Sequence, residues 1–166
     1  NCSGLTSVEI PNSVTSIGGG AFAHCSGLTS VVIGNSVNSI GSGAFYCCSS
    51  LTDITIPGCV VSIGKRAFNG CSKLKELYIS DSPITLEMGN GDHMNTPWEA
   101  YEGTLVTCGT FYNSPLETIY LGRNVSDDRA TFAKSTYPKF CKKRATQPVK
   151  LNCPDGRQKT FCTPQR

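Results

Sequence analysis

Ten cysteines stand among the 166 residues, and four of them keep time. Cys2, Cys25, Cys48 and Cys71 recur every 23 residues, each three residues before a leucine, and the last three each follow a phenylalanine by three. Thiols on a metre could hold a metal ion, pair as disulfides, attack an electrophile, or fill a core. Zinc needs four convergent ligands, and the chain offers no CxxC pair and only two histidines, His24 and His93. A nucleophile needs a base within reach. His24 occupies a slot that Cys47 and Gly70 fill in later copies, so nothing in the repeat demands a base there.

The elements that position these thiols are legible from what repeats with them. Leu5, Leu28, Leu51 and Leu74 are followed by Val8, Val31, Ile54 and Leu77, then by Ile10, Ile33, Ile56 and Ile79. Val14, Val37 and Val60 come next, then Ile17, Ile40 and Ile63, each before a glycine, and Ala–Phe closes each unit at Phe22, Phe45 and Phe68. Self-similarity at a period between 20 and 50 residues is the signature of a stacked repeat. Within a unit, "LTSVEI" alternates as a half-buried strand does, and Pro11 or Pro57 follows where a strand stops. "SVTSIG" supplies a second short extended piece, glycine turns the chain, and phenylalanine drops inside. The few apolar side chains of one unit cannot offset the ordering of 23 residues, so each coil needs neighbours.

The frame Leu-x-x-Val-x-Ile-Pro-x-x-Val-x-x-Ile-Gly-x-x-Ala-Phe-x-x-Cys, read from Leu5 to Cys25, resembles the leucine-rich repeats of the BspA-like type. The resemblance is close over residues 1–80 and partial over 105–125. It implies a solenoid wound as a right-handed coil, with a parallel β-sheet on the concave side and short second strands or turns on the convex side. It also implies display on bacterial, and in some cases protist, cell surfaces, where several relatives act as adhesins.

Stacking settles how the metred cysteines should be read. Equivalent positions lie about 4.8 Å apart along such a coil, and their side chains point the same way. A disulfide needs two side chains turned toward each other. Free cysteine is small, readily buried and a weak S–H donor, so the column reads as packing. Cys47, Cys59, Cys108, Cys141, Cys153 and Cys162 fall off the metre, and their pairing is open.

The metre breaks after Ile79. The next phenylalanine is due at position 91 and arrives at Phe111; Ser114 then stands in the cysteine slot, and Leu116, Ile119 and Leu121 restore the strand. The expected organisation is a solenoid over 1–125, with regular repeats to 80, an enlarged unit at 81–110 and a variant repeat at 111–125. "SPLETIYLGRN" is similar to a variant unit of the same family. Residues 126–166 read as an irregular basic tail of low expected order. Residues 1–138 carry 7 basic and 11 acidic groups, net −4, whereas 139–166 carry 8 basic and 1 acidic, net +7. A solvated end is the plain reading of that charge, and no nucleic-acid partner is expected. No apolar run reaches spanning length. The chain opens on Asn1 inside a repeat and is expected to be a fragment of a longer protein.

With cysteine assigned to filling, function is expected on the outer faces. The outward positions of the last two concave strands carry Lys75, Glu76 and Tyr78, then Glu117, Thr118 and Tyr120. Tyrosines flanked by charge suit protein or glycan contact, because the ring covers area while the hydroxyl finds partners. They equally suit a cross-strand pair that stabilises the sheet. Trp98 and Tyr101 in the enlarged unit complete the candidate set. The expected function is a non-enzymatic, adhesin-like binding module of a cell-surface or secreted protein, without cofactor or metal, contacting host or neighbouring-cell protein or glycan. The alternative is a structural spacer within a larger surface protein. An enzyme using Cys108 and His93 has only their proximity in sequence behind it.

Overall fold

A computed structural model describes residues 1–89, 110–111 and 113–123, together with the strand backbones at 125–126, 139–142, 150–152 and 158–160. Each unit forms one coil with two short strands. The concave side carries β1 (Ser7–Ile10), β3 (Ser30–Ile33), β5 (Asp53–Ile56), β7 (Glu76–Ile79), β9 (Thr118–Leu121) and β11 (Lys139–Lys142). The convex side carries β2 (Ser16–Ile17), β4 (Ser39–Ile40), β6 (Ser62–Ile63), β8 (Leu86–Met88), β10 (Val125–Ser126) and β12 (Lys150–Asn152), ending in β13 (Gln158–Thr160). Among the described residues every strand pairing is parallel except β12 with β13. The stretch read as an irregular tail thus contributes β11, β12 and β13; no leucine-rich frame marks them in the sequence.

The convex strands form one seven-stranded sheet, whereas the concave side divides into β1–β3 and β5–β7–β9–β11. Proline removes one bond at that break. Ser80 donates its N–H to Ile56 at 3.0 Å, and Gly122 donates to Ile79 at 2.7 Å. Pro57 occupies the same place one coil earlier and has no N–H to give.

Between the sheets the repeated apolar positions fill the interior. Leu51, Ile54, Ile56, Val60 and Ile63 are almost wholly buried, as are Leu74, Leu77, Ile79 and Met88. Leu5, Val8, Val14 and Phe22 in the first coil are only partly buried, since the described residues place a coil against one side of it alone. Phe22, Phe45, Phe68 and Phe111 stack as a column of rings, with centroids 5.1–5.2 Å apart and planes within 10°. Coils meet so closely at the Ile–Gly turn that a Cβ on Gly64 would come within 2.5 Å of the Ser42 nitrogen.

The fourth coil departs from the metre earlier than the phenylalanine spacing shows. Ser39 pairs with Ser62 across β4–β6, but Ser62 pairs with Glu87 across β6–β8. The offset grows from 23 to 25, so two extra residues lie between β7 and β8. The remaining surplus falls between Gly89 and Thr110. Phe111 nevertheless regains the ring column against Phe68.

Candidate binding cleft on the concave face

Alternation along β7 sends Leu77 and Ile79 inward and leaves Glu76 and Tyr78 on the concave surface. Strand β9 does the same with Thr118 and Tyr120. The parallel register sets Tyr78 opposite Tyr120. Their rings stack with centroids 4.5 Å apart and planes 2° from parallel. The Tyr78 hydroxyl donates to the Glu76 carboxylate, two residues earlier on the same face. That bond raises the phenol's pKa, because losing the proton would set two negative charges side by side. One residue before each strand, Lys75 Nζ meets Glu117 Oε1 at 2.7 Å, with both side chains more than half exposed. The carboxylate holds the ammonium proton and raises its pKa.

Five of the residues singled out from sequence, Lys75, Glu76, Tyr78, Glu117 and Tyr120, therefore sit together on two adjacent rungs. Trp98 and Tyr101 lie outside the described residues, as do His93 and Cys108. The tyrosine pair borders an open cleft of about 310 Å³, lined also by Thr55, Ile79, Ser80, Asp81 and Gly122. Thr55 faces Tyr78 from β5 and presents only a short side chain beside the larger ring. Asp81 was not anticipated as a site residue. It follows the strand by two residues, where the repeat frame prescribes no residue type, and only the coil's turn brings it to the cleft.

The cysteine column is inside, and it does more than occupy space. Cys48 Sγ donates to the Phe22 carbonyl at 3.2 Å, and Cys71 Sγ to the Phe45 carbonyl at 3.3 Å. Ser114, in the same slot, donates its Oγ to the Phe68 carbonyl at 2.7 Å. Each bond reaches the coil before, so the slot calls for a small side chain with a hydrogen to give. Burial pushes the Cys48 thiol up to about 11 and Cys71 higher still. The thiolate is the reactive form of cysteine, so these sulfurs stay protonated and inert at neutral pH. Cys2, Cys25, Cys47, Cys48, Cys59 and Cys71 are free thiols, with Cys2 exposed. Among the described residues no cluster of three or more histidine, cysteine or acidic side chains could hold a metal ion.

Two further features lay beyond the sequence pattern. His24 and Cys47 share a backbone slot with Gly70 and Asn113, and all four have φ between 56° and 74°. Arg123 is buried and reaches back two coils, donating to the carbonyls of Gly58 at 3.0 Å and Pro57 at 3.1 Å. Burial lowers its pKa, and its Nε has no hydrogen-bond partner among the described residues.

The family model for the BspA-type leucine-rich repeat region matches residues 1–90, in six copies. The chain belongs to that family. The matched residues cover more than half the chain and build the coils from β1 to β8. No curated protein and no solved structure matches the sequence. BspA-type repeats and the solenoids they form are typically non-catalytic and often surface-associated. Among the described residues no helix is long and apolar enough to cross a membrane.

Proposed function

We propose that this chain is a non-enzymatic binding module of a surface-displayed or secreted BspA-type protein, contacting a protein or glycan through its concave face. The observation that carries the reading is the Tyr78–Tyr120 stack at the border of an open cleft, with charged side chains beside it. Broad rings lose little conformational freedom on binding and supply contact area with a polar tip. The interior is spent on packing, which leaves recognition to the outer wall. Sites grafted on a fold, rather than the fold itself, decide what is bound.

The test is a Tyr78→Ala/Tyr120→Ala double variant, compared with the parent against a panel of matrix proteins and glycans. Loss of a ligand that the parent captures, with a cooperative melt kept though lowered by the missing ring contact, supports the module. Unchanged capture of every ligand found for the parent favours the spacer reading instead.

A further inference from the structure

We infer that the cleft takes a cationic side chain, arginine above all, presented by a protein partner. The inference rests on the binding-module reading and narrows its ligand to the protein class. Three features converge. First, one face of the Tyr78 ring is covered by Tyr120, while the rung on its other side carries only Thr55. An aromatic face left open in this way attracts a cation, by about 0.5–1 kcal/mol at exposed sites and more when water is displaced. Second, the Tyr78 hydroxyl donates to the Glu76 carboxylate, which places negative charge at the phenol end of the ring.

Third, Asp81 lines the cleft, and its carboxylate has no hydrogen-bond or ion-pair partner among the described residues. Two cations at the ends of the neighbouring strands are engaged elsewhere. Lys75 is paired with Glu117, and Arg123 is turned inward onto the Pro57 and Gly58 carbonyls. A neutral sugar would use the Thr55 and Ser80 hydroxyls and leave the Asp81 charge unanswered. A guanidinium answers both halves of the site, because its plane stacks on an aromatic face while its edge grips a carboxylate. The volume, about 310 Å³, falls at the lower end of small-ligand sites, roughly 300–1,000 Å³, and suits one side chain rather than a folded element.

The experiment uses the full chain and a fluorescent glycine–serine peptide bearing arginine, its citrulline twin of the same shape without charge, and a neutral oligosaccharide. The arginine peptide should bind about tenfold more tightly than the citrulline peptide, and added salt should weaken it. Asp81→Asn should cost about tenfold. Asp53→Asn removes the same charge from an exposed concave position outside the cleft and should cost little. Equal binding of the two peptides, or equal loss from Asp53→Asn and Asp81→Asn, would overturn the inference. So would the absence of peptide binding at any soluble concentration. If the oligosaccharide binds, depends on Tyr78 and Tyr120 and ignores Asp81→Asn, the cation inference falls while the binding module stands.

Discussion

The Cys71 thiol donates to the carbonyl of Phe45, one coil earlier in the stack, at 3.3 Å. The same carbonyl already accepts the N–H of Cys48 within its own coil, at 3.3 Å. Backbone oxygens have two lone pairs, and here one serves the turn while the other ties successive coils together. The repeat therefore selects a small side chain with a hydrogen to donate. Cysteine adds an apolar body suited to burial, and Ser114 meets the same demand with a hydroxyl.

This relationship separates two substitutions of similar size. Cys71→Ser keeps a donor and should cost less than about 1 kcal/mol, whereas Cys71→Ala removes donor and volume together and should cost about 1–2 kcal/mol. Urea midpoints at pH 7 check the order. An alanine variant as stable as the serine variant would reduce the slot to plain filling.

Stability should also decline in alkali. The Cys48 thiol, ordinarily near 9.0, is pushed up to about 11 by burial, and Cys71 is raised further. Unfolded thiols ionise first, so their contribution is fully present below about pH 9 and is lost as pH rises through the folded values. Urea melts at a series of pH values between 7 and 11 should show the loss. It should shrink in a Cys48→Ser/Cys71→Ser variant, which has no such protons to release.

Gly70 tests the left-handed slot. Its φ is +74°, and an added Cβ would lie 2.9 Å from the Cys47 sulfur. Gly70→Ala should cost about 1–2 kcal/mol, from backbone strain and crowding together. A thermal melt unchanged by the substitution would show that the coil relaxes there at no cost.

What could be read in advance follows from where each determinant lies along the chain. The apolar metre from Leu5 to Ile79 reports burial position by position, so the coils, the phenylalanine column and the meeting of Tyr78 with Tyr120 were all legible. The two extra residues before Leu86 were not, because the apolar residue of "SDSPIT", Ile84, is exposed and marks no core position to count from. Nor was Arg123, whose partners lie 65 and 66 residues earlier and are backbone carbonyls with no side-chain identity. Asp81 entered the cleft for the same kind of reason. Pro57 is legible as a strand stop, but that it also lacks the N–H which Ser80 and Gly122 give to the preceding coil appears only once the coils are stacked.

On the concave surface, ion pair and ring pair should behave differently. Lys75 and Glu117 are 59% and 62% exposed, and exposed pairs contribute about 0–1 kcal/mol. Lys75→Ala should barely move the melt. A double-mutant cycle on Tyr78 and Tyr120 should return a coupling of about 0.5–1 kcal/mol, as opposed aromatic residues do. A coupling near zero would mean that the stacked rings do not stabilise the sheet.

Site-resolved alkylation of the native chain, read by mass spectrometry, probes the shared interior most directly. Cys2 should label at the rate of an open thiol, while Cys25, Cys48 and Cys71 label only as fast as the coils unfold. Labelling of those three at the rate of Cys2, or their recovery bound to a metal or joined to one another, would contradict the account.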